Sequence, residues 1–499
     1  MYKKNNSNPE FENFYLPFGG KLQSDNRWIN LAKLIPWDKI EDLYKSQFSE
    51  TGAPAKNLRV ALGALIIKEK LKLTDEETVE QIMENPYMQY FIGMEEYRYE
   101  QPFDSSMMVH FRKRLNLEIL NEINELIQNK QKKKKQPSKG EDSDDPPNEG
   151  KLIADATCAP ADIKYPTDVS LLNEAREKAE KIIDTLHGPL IGKEEKVRTY
   201  RNKARKDYLK FSKKRRHTRK EVRKAVRKQL GYLGRNLIHI ENLVKKNGLH
   251  LLSKRQYRNL LVIRELYRQQ KEMYDGKIHT TKNRIVSIAQ PHVRPIVRGK
   301  VATPVEFGAK LSISIVDGFS YLDHLSWENY NESTDLIDQI ESYKTRFGFY
   351  PNSVHVDSIY RTKTNRKYCK DKEIRMSGPS LGRPKKENEQ NKAIIREKKR
   401  LARQDELDRN AVEGKFGQGK RRYNLNRIMA KLASTSEVTI GIIFMIMNLD
   451  KILREVSLRQ LLYWHRLVKS LIVRVKFVLC NSINTIHSEK HKREIMLAF

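Results

Sequence analysis

Cysteine is scarce in this chain, and its positions form no recognisable site. The 499 residues contain three, Cys158, Cys369 and Cys480. An odd number at such distances provides neither a disulfide framework nor the spacing of a zinc site, and the twelve histidines show no ligand spacing either. We therefore expect no disulfide and no zinc, and the reducing cytoplasm is the default compartment.

Long apolar runs are also missing. The purest run, VTIGIIFMIMNL at 438–449, is too short to span a hydrocarbon layer of about 30 Å, so it predicts a buried core element instead. The lysines of the N-terminal MYKKNNSNPEF precede no apolar segment, which argues against a signal peptide. A later run at 458–480 is interrupted by five basic residues, Arg459, Arg466, Lys469, Arg474 and Lys476. Residues 450–499 resemble a basic amphipathic tail of unassigned role.

Acidic side chains are too few to balance the basic ones. The chain has 63 Asp and Glu against 96 Lys and Arg, a formal charge of +33 and a pI near 9.8. Such an excess predicts a polyanionic partner, of which nucleic acid is the commonest and an anionic membrane surface is the alternative. Hydrophobic residues make up 38% and charged residues 32%, which fits roughly two to four soluble domains.

The positive charge is densest in residues 201–229. This segment holds fifteen Lys or Arg against Asp207 and Glu221, a local balance of +13. A solvated charged helix is the plain interpretation. Because uncompensated cations repel each other unless phosphates neutralise them, we favour a surface that contacts the nucleic-acid backbone without reading its sequence. Its candidate contacts are Lys213, Lys214, Arg215 and Arg216.

Residues 27–130 carry helical patterns. RVALGALIIKEKLKL, at 59–73, spaces its apolar residues as one helix face does, and Thr74 followed by Glu77 is a capping-box pattern. Asp104 is predicted to cap a further short helix with basic residues on its outer face. Two such helices could form a helix-turn-helix DNA reader, and a plain helical bundle is the equal alternative.

Charge and proline then mark a linker at 131–150. This segment runs from a lysine block to an acidic block and two prolines, with no apolar residue to anchor a fold. We therefore divide the chain into five parts. They are a helical N-terminal DNA-binding domain at 1–130, the linker, a sheet-containing domain at 151–168 and 300–435, a basic helical insertion at 169–299, and a C-terminal core element with a basic tail at 436–499.

Strand patterns bracket the long helical segment. LIADAT, at 152–157, is short and β-like, and helical character follows from about 168 to 285. Apolar residues and serines then alternate at 311–315, and Asp-Gly at 317–318 is a strong hairpin turn. A capped helix and the short strand SVHVD, at 353–357, come next. This order predicts an α/β fold with a mixed sheet and a long helical insertion after the first strand, preceded by an all-α N-terminal domain.

Two carboxylates stand at the ends of predicted strands, Asp155 and Asp357, and Glu413 is a third candidate. Sheets of this type bind ligands beyond their strand ends. Carboxylates that meet there from distant positions suit Mg²⁺, and two such ions about 4 Å apart can hold the attacking and leaving oxygens of a phosphodiester. Asp162 and Asp168 are rival acids, but both lie in a proline-flanked loop rather than at a strand end.

The segment RNAVEGKFGQGK, which contains Glu413, has the spacing of one helix face. Arg409, Glu413 and Lys420 are separated by four and seven residues, and these offsets return to nearly the same side of a helix. Three glycines would each cost that helix about 1 kcal/mol against alanine. They are Gly414, Gly417 and Gly419. Either the helix frays at them, or the missing side chains let a DNA backbone come close.

Together these segments resemble the DDE-type insertion-sequence transposases of bacteria, which have an RNase H-like catalytic fold. The resemblance is carried by IADAT around Asp155, SVHVDSIYRTKTNR around Asp357 and RNAVEGKFGQGK around Glu413. It extends over about residues 27–450.

One branch of these transposases ends in the signature Tyr, two residues, Arg, three residues, Glu, six residues, Lys. Arg409, Glu413 and Lys420 match it, while Glu406 occupies the Tyr position. The segment PHVRPIVRGK, followed by EFGAK, is similar to the branch with a helical N-terminal domain.

The resemblance implies that Asp155, Asp357 and Glu413 bind two Mg²⁺ ions, for which Mn²⁺ can substitute. Water would attack the end of the element, and the freed 3′-hydroxyl would attack target DNA with no covalent protein intermediate. Arg409 and Lys420 would contact DNA near the cleaved bond. The N-terminal helices would read the terminal inverted repeats, and a homodimer on the DNA of the bacterial cytoplasm would pair the two ends.

Other residues near these motifs receive plainer interpretations. Arg361 and Lys363, just after Asp357, are predicted to be solvated or to face DNA phosphates rather than to be catalytic. Trp327 is predicted to belong to the core. Two alternative functions stay open: a transposase-derived protein that holds DNA without cutting it, and a nuclease or RNA-processing enzyme of the same fold.

Overall fold

The computed structural model describes residues 13–16, 19–48, 54–132, 147–297, 305–379, 382, 392–459, 463 and 469. Most of the predicted linker and nearly all of the C-terminal tail therefore lie outside the described residues. Within them, no helix is both long and apolar enough to cross a membrane.

Before residue 133, the described part of the chain forms seven helices. They are α1 (Arg27–Leu34), α2 (Trp37–Lys45), α3 (Leu58–Leu71), α4 (Asp75–Glu84), α5 (Pro86–Phe91), α6 (Met107–Arg114) and α7 (Leu117–Lys132). The capping box at the start of α4 is confirmed, because the Thr74 hydroxyl accepts from the Glu77 amide and the Glu77 carboxylate accepts from the Thr74 amide. The cap predicted at Asp104 lies two residues early: Ser106 is the N-cap of α6, and Asp104 accepts from the Ser106 amide at 2.8 Å.

The described strands form one mixed sheet. They are β1 (Lys151–Pro160), β2 (Arg294–Val297), β3 (Val305–Val316), β4 (Phe319–Ser326), β5 (Ser353–His355) and β6 (Arg375–Met376). The order is β2-β3-β1-β5-β6, and β4 also pairs with β3. β3 is antiparallel to both β1 and β4, whereas β5 is parallel to β1 and β6 is parallel to β5. The predicted mixed α/β architecture is confirmed.

The turn between β3 and β4 is the predicted hairpin. Asp317 and Gly318 have φ angles of 49° and 75°. Positive φ at both central positions is the requirement of a two-residue type I′ turn, which matches the twist of the strands. Asp317 is therefore a turn residue, as expected.

Four long helices separate β1 from β2. They are α8 (Asp168–His187), α9 (Arg201–Ser212), α10 (Arg219–Asn247) and α11 (Lys254–Gly276). These helices bury a hydrophobic cluster of their own, which includes Leu172, Leu233 and Ile263. The basic segment 201–229 is thus not one helix: it covers α9, an exposed turn that contains 213–216, and the start of α10.

Four further helices flank the sheet. α12 (Leu336–Phe347) ends at Gly348, which has φ 86°, and α13 (Lys363–Asp371) precedes β6. α14 (Lys392–Arg422) runs without a break through the three glycines. Residues 433–459 form a last helix, here α15, and the apolar run 438–449 inside it is buried, as predicted.

The N-terminal helices and the sheet share one hydrophobic core. Its largest cluster joins residues of α1 to α7 with β3, β4 and α15, including Phe91, Ile123, Leu311 and Phe444. Gly441 permits the close approach of α15 to α7, since a Cβ there would lie 2.9 Å from Leu117 Cδ1. The sequence boundary at the linker therefore does not separate two cores, and the predicted domain limits stay predictions.

Asn448 connects this core across three elements. Its side-chain amide donates to Asn124 Oδ1 in α7 at 3.0 Å and to the Ser320 carbonyl in β4 at 2.7 Å, and its Oδ1 accepts from the Ser320 amide at 2.9 Å. All of these atoms are buried, so each partner left unsatisfied costs about 1–3 kcal/mol.

We expect Asn448→Ala to lower the free energy of unfolding by about 3 kcal/mol, because it leaves the Ser320 backbone groups without their partner. Asn121→Ala is the matched control: its amide makes only a 3.5 Å contact with the Leu322 carbonyl of the same strand, so its loss should cost less than about 1 kcal/mol. Urea denaturation measures both values. Equal effects of the two substitutions would contradict the role assigned to Asn448.

Candidate active site

The site lies where β1 and β5 part. Their parallel ladder ends at the pair Ile153 and His355. Asp155 and Asp357 each follow two residues later. Asp357 lies beyond the end of β5, as predicted, but Asp155 lies within β1, where it pairs with Ile313 of β3, because β1 continues to Pro160. Both line a cleft of about 970 Å³, and the carboxyl ends of strands such as β5 are where open α/β sheets bind ligands.

Asp155 is the half-buried acid of this cleft. Its Oδ1 accepts from the Ala156 amide at 2.8 Å. Burial raises the pKa of Asp155 to about 6, and the negative charges of Asp357 and Glu332 act in the same direction. A partly desolvated carboxylate with other negative charges beside it attracts a cation.

Asp357 is the exposed acid and is held by two partners. Its Oδ1 accepts from the Ser358 amide at 2.6 Å, which caps a short 3₁₀ turn after β5. The same oxygen is 3.0 Å from Nη1 of Arg409 on α14. Arg409 thus bridges the helix to the strand end, beside the cleft rather than among the residues that line it.

The apolar packing of Val412 against the sheet positions α14 so that the next residue, Glu413, lies at the cleft. Val412 is fully buried against Ile153 of β1 and Ile315 of β3. Glu413 is exposed at the edge of that contact and lines the cleft together with Phe416, Gly417 and Lys420. These positions recur at three, four and seven residues, so the predicted helix face is present.

The glycines of α14 do not fray it. Gly419 allows Leu425 and Met447 to pack closely against α14, since a Cβ there would lie 3.0 Å from Leu425 Cδ2 and 3.3 Å from Met447 Sδ. Gly414 has open space instead, with nothing within 4 Å of a Cβ. Of the two interpretations, fraying is therefore excluded, and close approach of a DNA backbone stays a prediction for Gly414.

A second contact fixes α14 two turns before Glu413. The buried carboxylate of Asp405 accepts from both terminal nitrogens of Arg375 in β6, at 2.7 and 2.8 Å. It also lies 3.5 Å from Nδ1 of His355, a fully buried residue of β5. Burial lowers the pKa of His355, and the charge of Asp405 opposes that shift. Asp405 therefore ties the helix to the two strands beside the cleft.

We expect Asp405→Ala to lower the free energy of unfolding by about 2–3 kcal/mol. Breaking a buried ion pair costs about 3–5 kcal/mol, and the partial exposure of Arg375 reduces this. Asp408→Ala is the control on the same helix: its partner Lys151 has a side chain that is 54% exposed, so the loss should stay within about 1 kcal/mol. Urea denaturation that gave equal losses would contradict the anchoring role.

The cleft also contains residues that the sequence patterns did not single out. Lys310 of β3 and Glu332, which follows β4, both line it, as do Asn329 and Asn331. A signal for Glu332 did exist. β1 and β4 are both antiparallel to β3, so they run in the same direction and end at the same edge. An acid shortly after β4 therefore meets the criterion that selected Asp155 and Asp357, once the strand direction is known.

The rival acids are engaged elsewhere. Asp162 lies 2.9 Å from Arg427, and Asp168 lies 2.7 Å from Arg284 within the helical insertion. Trp327 is partly buried against the core, and its Nε1 donates to Glu437 at 2.8 Å. Trp327 packs against the core as expected, but Asp168 begins α8 and does not lie in the loop expected for it.

The predicted DNA contacts fall in three different places. Lys420 is in the cleft, 3.8 Å from Glu306. Arg361 is half-buried and packs against Gly378, whereas Lys363 is exposed at the start of α13. The four basic residues Lys213, Lys214, Arg215 and Arg216 are exposed in the turn between α9 and α10, where Lys214 also pairs with Glu221 at 2.5 Å.

Carboxylates of this cleft fit a divalent cation in the type of donor atom that they offer. Within the described ranges, no three Asp, Glu, His or Cys side chains are close enough together to enclose an ion. Two of the acids instead form ion pairs, Asp357 with Arg409 and Glu332 with Lys310. Carboxylate oxygens are the donors that Mg²⁺ prefers, and the half-buried Asp155 beside like charges favours a cation.

Two family models match separate parts of the chain. The transposase DDE domain matches residues 354–450, which include Asp357 and Glu413, and the transposase domain DUF772 matches residues 17–114, which include α1 to α5. The chain carries two transposase domains. The resemblance to the DDE-type insertion-sequence transposases is therefore confirmed by matches on both sides of the helical insertion.

One curated protein is similar over a shorter stretch. It is the uncharacterized protein ORF8 in the nfe locus of Rhizobium meliloti, 37% identical over 95 residues. The matched stretch covers 19% of this chain and 46% of that relative, about half of its length. No solved structure matches the chain.

Proposed function

We propose that this protein is a metal-dependent DDE transposase that cleaves DNA at the inverted-repeat ends of its own insertion sequence and transfers the freed 3′ ends to target DNA. One observation carries the proposal: Asp155, Asp357 and Glu413, which are far apart in the chain, line the same cleft. The transposase DDE domain that matches two of these three acids supports it.

The sheet supports an RNase H-like catalytic domain. In chain order, β1, β3 and β4 form an antiparallel series, and β5 and β6 then add in parallel on the other side of β1. β2 is a short strand that pairs with β3, along the same edge of β3 to which β4 is paired. The helices α8 to α11 follow β1 and lengthen the chain between the first two acids, and the end of the predicted insertion at 169–299 contributes β2 to the sheet.

In the proposed mechanism, Asp155, Asp357 and Glu413 would hold two Mg²⁺ ions, which would supply activation of the attacking water or 3′-hydroxyl and stabilisation of the leaving oxygen. Arg409 orients Asp357 through its ion pair and would contact the DNA strand beside the cleft. Lys420, two turns along the same face of α14 as Glu413, would offset charge on the phosphate.

DNA would be held over a wider surface. The N-terminal helices would read the inverted repeats, and the exposed basic turn between α9 and α10 would contact the phosphate backbone. A homodimer would pair the two ends of the element on DNA in the bacterial cytoplasm. A transposase-derived DNA-binding protein and a nuclease of the same fold are the alternatives.

We expect Asp155→Asn to abolish Mg²⁺-dependent nicking and end-joining on DNA that carries the repeats flanking the gene, while DNA binding is retained. The substitution removes the charge that a metal requires but keeps the shape of the side chain. Asp317→Asn is the matched control. It makes the same chemical change in the hairpin turn, where Asn also tolerates positive φ, so activity should be unchanged.

Gel assays of nicking and joining, beside a mobility-shift assay, give the readouts. Binding without any cleavage by the natural protein would favour the DNA-holding alternative. Cleavage without joining to a second duplex would favour the nuclease.

We expect Arg215→Ala combined with Arg216→Ala to weaken binding to all DNA sequences alike. If both side chains contact phosphates, the slope of log affinity against log salt should fall by about 1.8, since each phosphate contributes about 0.9. The control removes two charges from α11, with Arg268→Ala and Lys271→Ala. These side chains are paired with Glu265, Glu272 and Asp275. Equal salt slopes for the two double variants would contradict a phosphate-contacting turn.

A further inference from the structure

A fourth carboxylate enters the cleft opposite α14. Glu332 begins the short 3₁₀ turn that leads from β4 into α12, and Asn331 caps that turn by accepting from the Ser333 amide at 3.1 Å. Because β4 runs in the same direction as β1 and β5, Glu332 follows the carboxyl end of its strand as Asp357 does, whereas Asp155 lies within β1. All three acids line the cleft.

Lys310 is the counter-ion of Glu332. Its ammonium group forms an ion pair with the Glu332 carboxylate, donates to the Tyr330 carbonyl at 2.7 Å, and lies 5.0 Å from the centre of the Tyr330 ring. The two charged side chains are only 11% and 19% exposed. Both charged groups are therefore largely desolvated.

Stability is a weak explanation for this pair. The cost of desolvating two charges about cancels their attraction, and well-packed apolar residues in their place are often neutral or better. The position of the pair is more informative, because Lys310 and Glu332 line the cleft and are not enclosed in the hydrophobic core.

The charge of Glu332 also acts on the other groups of the cleft. Together with burial and Asp357, it raises the pKa of Asp155. With burial and Asp155, it raises the pKa of Tyr360, whose hydroxyl is buried and has no hydrogen-bond partner among the described residues. Glu332 and Asp155 line the same cleft, and a divalent cation between them would reduce the repulsion of their negative charges.

We propose that Glu332 is a fourth metal-facing carboxylate of the cleft and that Lys310 is the cation it exchanges for metal, after which the lysine contacts a DNA phosphate. This inference rests on the proposed function, since it assigns a further residue to the same metal site. A divalent ion carries twice the charge of the ammonium group that it displaces. DNA phosphate then supplies the released ammonium group with a new partner, so metal binding and DNA binding strengthen each other.

The test measures Mn²⁺ affinity of the full-length protein without DNA, by calorimetry and by electron paramagnetic resonance of the free ion. Glu332→Gln should weaken Mn²⁺ binding about tenfold or more, as loss of a supporting group at a metal site typically does. Glu328→Gln is the matched control: Glu328 is an exposed acid four residues earlier that pairs with Arg294. It should leave the affinity unchanged. Unchanged affinity in Glu332→Gln would overturn the proposal.

Lys310→Met gives an independent readout, because it removes the competing cation but keeps the apolar stem. We expect Mn²⁺ affinity to rise several-fold and DNA affinity to fall. Weaker Mn²⁺ binding in this variant would mean that the pair is only structural. If Glu332→Gln fails to fold, as judged by circular dichroism, Glu332→Asp keeps the charge and should give a smaller loss of affinity than Asp155→Asn; no loss would again overturn the proposal.

Asp155→Asn separates this inference from the proposed function. Loss of Mn²⁺ binding in Asp155→Asn but not in Glu332→Gln rejects only the fourth carboxylate. Undiminished Mn²⁺ binding in both variants rejects the metal site as a whole.

Discussion

The packing of Val412 against Ile153 and Ile315 is the contact on which the rest of the site depends. It presses α14 onto the sheet at the point where β1 and β5 separate, and the next residue along the helix is Glu413. A helix is rigid over a few turns, so one apolar contact also decides where Phe416 and Lys420 point. The ion pair of Asp405 with Arg375 holds the same helix two turns earlier. Together they place Glu413, from late in the chain, in the cleft that Asp155 of β1 and Asp357 after β5 also line.

Neighbouring basic side chains, and not the net positive charge of the whole protein, balance the negative charge of the carboxylates in the cleft. Although the chain carries an excess of 33 positive charges, the cleft gathers carboxylates, and single basic side chains hold two of them. Such pairs keep like charges from repelling each other across a half-buried space. In the proposed mechanism these pairs would exchange partners when DNA and metal bind, because each carboxylate would gain a divalent cation and each basic side chain would gain a phosphate.

The shared core explains why the N-terminal helices and the sheet act as one body. α15 lies between them, and Asn448 joins α7 to β4 through buried hydrogen bonds. The surface that is proposed to read inverted repeats is therefore packed onto the sheet that is proposed to cut them. The helical insertion differs, because its helices bury a separate hydrophobic cluster and present their basic turn outward.

Local patterns in the sequence were enough to predict many of the elements. The capping box at Thr74, the turn at Asp317 and Gly318, the apolar core run at 438–449 and the helix face of Arg409, Glu413 and Lys420 each depend on residues close together in the chain. Such features are decided by backbone preferences and short-range hydrogen bonds, which the sequence carries directly. The acids Asp155 and Asp357 were found in the same way, from their positions after predicted strands.

Tertiary structure alone decided the features that join distant residues. The direction of β4 brings Glu332 to the cleft, and the pairing of Lys310 with it has no local signature, since the two are on different elements. α14 continues through three glycines despite their low helix propensity, and Leu425 and Met447 pack closely against one of them, Gly419. The single core of the N-terminal helices and the sheet depends on α15, which returns from the far end of the chain. Contacts of this kind are set by which surfaces fold against each other, and no short stretch of residues contains that information.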